Sequence, residues 1–193
     1  MKYNTFLLLY VALQFVAFLL VLVATPLDMF RRRRSVPGFS LTCITLWGFK
    51  FDCDSSDYSL TLDVFSTGCI SRVYRFRAAQ GLAVISIFVY GAAFVGGLIL
   101  LFGCCFLRLV CLALNIVSIA TLCVVWALMV VSYFKNDGPN CSSLTEGNIY
   151  GRGFILFVIA WILDIINTII LLLPCMIPDT NAKETMEVPA AKA

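Results

Sequence analysis

At 193 residues, 61% of them apolar and 13% charged, the chain is too hydrophobic for a soluble domain of its length. Its net charge of +3 says little, but the absence of histidine excludes Ser-His and Cys-His catalysis and His-ligated metal sites. With no nucleophile–base pair in view, the sequence argues against an enzyme, a cofactor or a resident metal, and it gives no sign of nucleic-acid binding.

The first predicted element is a helix over 6–25. Lys2 ahead of it and Val23–Ala24–Thr25 at its end imitate a secretory signal. Its uncharged run of about 20 residues, however, exceeds a signal core of about 7–15 and fits a retained membrane span. A polar loop over 26–77 follows. Arg31, Arg32, Arg33 and Arg34 open it, marking the membrane boundary within reach of lipid phosphates or anionic glycans. Phe39–Phe51 is rich in β-branched and aromatic residues and reads as a strand or hairpin bent at Gly48. Asp54–Ser55–Ser56–Asp57 supplies a turn. Beyond it Tyr58, Leu60, Leu62 and Val64 alternate with Ser59, Thr61 and Asp63, the period of a half-buried strand.

Between Ala78 and Phe134 the single charge is Arg108, in a stretch about two and a half spans long. It must fold back near Arg108, which gives helices over 78–102 and 109–134. The pairs Ala92/Gly96 and Ala93/Gly97 permit close backbone approach, either within this chain or between copies. The second polar loop, 135–152, carries a glycosylation sequon at Asn140, whose middle residue is Cys141. A fourth helix over 153–174 and a polar, disordered tail over 178–193 complete the chain. The expected fold is an all-α membrane protein. It is one domain over 1–177, a four-transmembrane-helix bundle with a small antiparallel β-sheet, braced by disulfides, formed by the loops.

Within the span of the fourth helix lies Asp164, with Asn167 three residues on along the same face. A central acid costs roughly 2.5–3.5 kcal/mol on insertion scales, and such residues face the bundle interior. Depth counting at about 1.5 Å per residue brings Gln14, Asn115 and Asn167 to the level of Asp164. The set reads as a hydrogen-bonded clasp around a protonated acid, or else as a proton or cation site.

Four spans put both termini on one side and the loops 26–77 and 135–152 on the other. The larger basic set is on the loop side (Arg31 to Arg34, Lys50, Arg72, Arg75, Arg77, Lys135 and Arg152), which argues that the loops are cytoplasmic. The cysteines argue the reverse. Cys43, Cys53, Cys69 and Cys141 lie in those loops, an even number suited to disulfides in an oxidising compartment, with three pairings open. Cys104, Cys105, Cys111 and Cys175 lie towards the opposite side, where cytoplasmic thiols are palmitoylated, or where a small apolar residue simply packs. We follow the cysteines: loops outside, termini and tail in the cytoplasm.

The segment Cys43–Ile44–Thr45–Leu46–Trp47–Gly48–Phe49–Lys50–Phe51–Asp52–Cys53 resembles the signature of the amastins, surface proteins of kinetoplastid parasites. Its slots are a Cys, an aliphatic residue, Thr/Ser, Leu-Trp-Gly, a basic and an acidic residue, and a closing Cys. Cys43, Thr45, Leu46, Trp47, Gly48, Lys50, Asp52 and Cys53 fill them without interruption. The resemblance implies a multi-pass plasma-membrane protein with extracellular loops and a role at the parasite–host interface. Its partners would be membrane lipids, other copies or other membrane proteins, and host surface ligands. The chain is more distantly similar to the claudin superfamily, which places Leu-Trp and two cysteines in a first extracellular loop. That similarity implies Cys53–Cys69, leaving Cys43–Cys141 to join the loops. The alternative function is a small proton or ion transporter or channel using the Asp164 cluster.

Overall fold

The computed structural model describes residues 2–32, 42–53, 55, 57–61, 69–102, 106–138, 141–145 and 147–176, without the side chains of 2–4 and 173–176. Four helices in it are long and apolar enough to cross a membrane. They are α1 (Lys2–Ala24), α2 (Ile70–Leu100), α3 (Leu107–Phe134) and α4 (Arg152–Met176). They pack in the ring order α1–α2–α3–α4, with α4 closing against α1. Large apolar side chains such as Phe88, Phe102 and Leu109 point outward, while Gln14, Asn115, Ser118, Asp164 and Asn167 are fully buried. Apolar side chains thus face both outward and inward, with the polar ones confined to the interior, as expected where the surrounding solvent is hydrocarbon.

Helix α2 begins at Ile70, well ahead of the apolar run that starts at 78. Its 31 residues make a rod about 46 Å long, against a hydrocarbon core of about 30 Å. The extra turns carry Arg72 and Arg75 above the bilayer. Three residues apart on one helix face, they both reach the second loop. Arg72 donates to the Ser142 carbonyl, and Arg75 donates to Ser132 Oγ at 3.1 Å and forms an ion pair with Asp137. At the other end Arg108 donates to the Leu171 carbonyl, a cation placed against the C-terminal turns of α4.

The small residues of α2 pack within the chain. A Cβ on Gly97 would lie 2.9 Å from the Tyr10 ring of α1, and one on Gly96 would lie 3.0 Å from Cys111 Sγ of α3. Ala93 is buried, whereas Ala92 is exposed.

The two loops form one five-stranded antiparallel sheet, in the order β4-β3-β2-β1-β5. The strands are β1 (Asp28–Arg32), β2 (Cys43–Thr45), β3 (Gly48–Lys50), β4 (Leu60–Thr61) and β5 (Asn148–Tyr150). The hairpin bent near Gly48 and the strand through Leu60 match the sequence expectation. Phe39, Asp54, Ser56, Leu62, Asp63 and Val64 lie outside the described residues, as do Arg33, Arg34 and the 178–193 tail.

Strands β1 and β5 were not expected. Arg31 and Arg32 are strand residues, with Arg31 paired to Asp28 at 2.8 Å, so Arg31 belongs to the sheet and is not simply a boundary marker. Asp28 also accepts the Arg152 N–H at 3.2 Å, capping the first turn of α4 from another element. Gly151 is required beside it, because a Cβ there would run into the Asp28 backbone. Beneath the sheet, Phe30 stacks on Tyr133 at 5.6 Å, and Tyr150 packs between Tyr133 and Phe154 at 4.5 and 4.4 Å. Burial pushes the Tyr150 phenol above its ordinary value. This aromatic layer joins the sheet to the helices.

Candidate functional site

The sheet and the two loops form a cap on one end of the bundle, built around the segment Cys43–Cys53. Cys43 pairs with Cys53, and Cys69 with Cys141, with Cα–Cα distances of 5.3 and 5.6 Å. The pairing implied by the claudin similarity, Cys53–Cys69 with Cys43–Cys141, is therefore corrected. The physical reason is the register. Cys43 lies opposite Lys50 in the β2–β3 hairpin, and the chain just beyond β3 brings Cys53 alongside it. Cys69, immediately before α2, meets the second loop at Cys141.

Most signature slots have a local task. Thr45 Oγ1 accepts the N–H groups of Trp47 and Gly48, both at 3.1 Å, and donates to the Gly48 carbonyl at 3.0 Å. A hydroxyl on a short side chain is what seals this two-residue turn. Leu46 is fully buried under the sheet, and its carbonyl accepts from Gln80 of α2. Gly48 sits so close to β4 that a Cβ would lie 2.7 Å from the Leu60 carbonyl oxygen. Lys50 donates to the Ser55 carbonyl at 2.8 Å and lies 4.7 Å from the Tyr58 ring centroid. Trp47 donates its indole N–H to the Thr25 carbonyl at 3.1 Å, tying the turn to the end of α1, yet 40% of the residue stays exposed. The indole N–H is thus satisfied by protein, not by the lipid interface.

Most of the signature is therefore buried bracing. Phe51 at 55%, Tyr58 and Trp47 form the exposed aromatic part of the cap. A cavity of about 330 Å³ lies beneath, between Asp28, Thr45, Lys50 and the Cys43–Cys53 bridge. Both charges lining it are already engaged, Asp28 by Arg31 and Lys50 by Ser55, which makes it a gap in the brace. Thr45→Val keeps the side-chain shape and leaves two N–H groups without their acceptor. The expected cost is about 2 kcal/mol, read from chemical unfolding of the cap in detergent. A shift below about 0.5 kcal/mol would show that the hydroxyl does not hold the turn.

Of the four residues that depth counting sets at one level, Gln14 and Asn167 touch each other, while Asn115 and Asp164 are buried with other partners. Asn167 Nδ2 donates to Gln14 Oε1 at 2.6 Å, Ser118 Oγ contacts Asp164 Oδ2, and Tyr10 donates to Asn115 Oδ1 at 3.5 Å. Tyr90 of α2 brings its phenol beside Asp164 and Ser118. Ser118 was missed because a serine hydroxyl in a span usually satisfies itself on its own backbone, and Tyr10 and Tyr90 because a tyrosine in an apolar run reads as aromatic packing.

Cys111 is fully buried, packed against Gly96 with Tyr10 nearby, so it is corrected as an acylation site: no lipid chain can be attached there. Cys104, Cys105 and the sequon residue Asn140 lie outside the described residues, as does the Cys175 side chain. The sequon's middle residue, Cys141, is held in its disulfide.

The sequence model of the amastin surface glycoprotein family matches residues 15–171, from the first helix through both loops into the last helix. No curated protein shows significant similarity to the chain. Four apolar spans, a disulfide-braced cap carrying the full signature, and a match over most of its length lead to one conclusion: the chain belongs to the amastin family of surface glycoproteins.

Proposed function

We propose that this protein works by display. Its cap is held outside the plasma membrane of a kinetoplastid cell, with both termini in the cytoplasm. The cap meets a host ligand or another membrane protein through its exposed aromatic side chains, without catalysis and without a cofactor. The observation that carries this reading is the double bracing of a very small sheet. Five strands of two to five residues bury too little surface to be stable alone, and two disulfides supply the missing constraint. Disulfides of this kind persist in oxidising surroundings. A rigid base under Trp47, Phe51 and Tyr58 suits recognition, since aromatic residues on a fixed support lose little entropy on contact.

Membrane-impermeant thiol labelling of intact cells tests the topology. Label is expected at Cys43, Cys53, Cys69 and Cys141 only after mild reduction; if none reaches them from outside under either condition, the display reading fails. Surface cross-linking through the cap then captures the partner.

The buried Asp164 cluster favours a second reading, a small proton or ion transporter. Apolar clusters close the bundle on either side of that cluster: Val21, Leu122 and Phe157 towards the cap, Leu7, Leu100 and Leu171 towards the other end. Proton flux in reconstituted vesicles that disappears with Asp164→Asn would displace display in favour of transport.

A further inference from the structure

The hydrogen bonds at the middle of the bundle do not close. Gln14 Nε2, Asn115 Nδ2 and Asn167 Oδ1 are buried without a partner, and Tyr90 Oη and Asp164 Oδ1 are buried with only each other's residue beside them, outside hydrogen-bond geometry. Their residues are 0% exposed and come from all four helices. They are not scattered. Gln14 joins Asn167 across α1 and α4, and Ser118 joins Asp164 across α3 and α4. Tyr10 of α1 reaches Asn115 of α3 across the ring diagonal, and Tyr90 of α2 approaches Asp164 of α4 across the other. Atoms contacted along both diagonals lie near the bundle axis. Polar atoms in that position, walled off by hydrocarbon, require an occupant that hydrogen-bonds.

The chemistry of the unpaired atoms selects the occupant. In the Gln14–Asn167 pair, one amide nitrogen donates to the other amide's oxygen. Whichever way the two amides are turned, one amino group and one oxygen are left over. Ser118 has one hydroxyl proton and two acceptors in reach, the Asn115 carbonyl at 2.8 Å and Asp164. Whether the acid accepts from Ser118 or donates to it, Asp164 Oδ1 has only the Tyr90 phenol beside it, outside hydrogen-bond geometry. The site therefore always presents donors and acceptors together. A bare cation takes oxygens alone and would be repelled by the amino groups. Water takes both, and a buried water typically makes about three such bonds.

We infer that the bundle core holds a sealed hydration site. One or more waters bind among Gln14, Tyr90, Asn115, Asp164 and Asn167, with the apolar cluster around Phe157 above and the one around Leu100 below. The waters complete the polar layer and join the four helices at one level; among the described residues the polar contacts continue towards the cap through Thr121 and Ser86 before the apolar cluster closes the bundle.

X-ray radiolysis tests this on the intact protein in liposomes, because it generates hydroxyl radicals wherever water sits, including inside. Tyr10 and Tyr90 are expected to be oxidised several-fold faster than Phe157 and Met129, which are equally buried, of comparable intrinsic reactivity, and carry no unpartnered polar atom. Tyr90 shares their apolar cluster, so the contrast reads the polar layer and not the depth of burial. Replacing sodium and potassium by an impermeant organic cation should leave those rates unchanged. If Tyr10 and Tyr90 are as protected as Phe157 and Met129, the site is dry and the inference is wrong. If their oxidation rises only when the metal cations are removed, a cation holds the place assigned to water, which overturns it equally.

Discussion

Arg75→Ala is expected to destabilise the cap by about 3 kcal/mol, the low end for breaking a buried ion pair by removing one partner. The Asp137 side chain is 5% exposed and that of Arg75 12%, so the carboxylate left behind has little access to water. The same substitution strips the Ser132 hydroxyl of its partner and loosens the second loop from α2 next to the Cys69–Cys141 bridge. Equilibrium unfolding in detergent measures the loss. Asp137→Ala should cost a similar amount, and the double substitution should cost clearly less than the sum, because neither partner is then left stranded. A loss below about 1 kcal/mol for Arg75→Ala would mean that the pair behaves like a screened surface contact, and its assigned role would be wrong.

Arg31, Arg72 and Arg75 are also among the residues that load the loop face with positive charge. Each has a structural partner there: Asp28, the Ser142 carbonyl and Asp137. A count of basic residues treats them as signals to the insertion machinery, whereas in this fold Arg72 and Arg75 hold the second loop to α2 and Arg31 braces β1 through Asp28.

The helices were legible because the sequence separates its charges from its apolar runs so completely that length alone fixes their number. The start of α2 was not, since Arg72, Arg75 and Arg77 end the hydropathy signal while leaving the helix intact. Arginine is a good helix former, and its partners lie some 60 residues or more away, as with Arg75 and Asp137 at a separation of 62. Strands β1 and β5 hold five and three residues, too short to show a period, and Phe30 pairs with Tyr150 from the far end of the chain. In the core, the depth of Gln14, Asn115, Asp164 and Asn167 was readable by counting along each helix. The contributions of Tyr10, Tyr90 and Ser118 depend on how the helices are rotated, which nearly uniform apolar faces do not reveal. The four loop cysteines declared themselves by parity and place. Their pairing did not, because it follows from the hairpin register of β2 and β3.

Removing the two disulfides separately is expected to melt different parts of the cap, at similar cost. The chain-entropy relation assigns about 3 kcal/mol to the Cys43–Cys53 bridge, with a separation of 10, and about 4 kcal/mol to Cys69–Cys141, with a separation of 72. The second figure treats α2 and α3 as free chain. Both remain inserted when the cap unfolds, since exposed backbone in hydrocarbon is far costlier, and the expected loss falls back to about 3 kcal/mol. The location of the damage tells the bridges apart. Substituting Cys43→Ser with Cys53→Ser should speed amide hydrogen exchange in β2 and β3, while β5 stays protected through its pairing with β1 and the Tyr133 hydroxyl on the Asn148 carbonyl at 2.9 Å. Substituting Cys69→Ser with Cys141→Ser should act elsewhere, releasing residues 135–147 ahead of β5 and leaving the β2–β3 hairpin closed by Thr45 and its own bridge. Exchange that rises uniformly over all five strands in both variants would rule out this division and make the cap a single cooperative unit. Should the two responses separate, the surface bearing Trp47, Phe51 and Tyr58 depends on the first bridge alone. Loss of partner cross-linking in the Cys43/Cys53 variant, with retention in the Cys69/Cys141 variant, would then locate recognition on the signature hairpin.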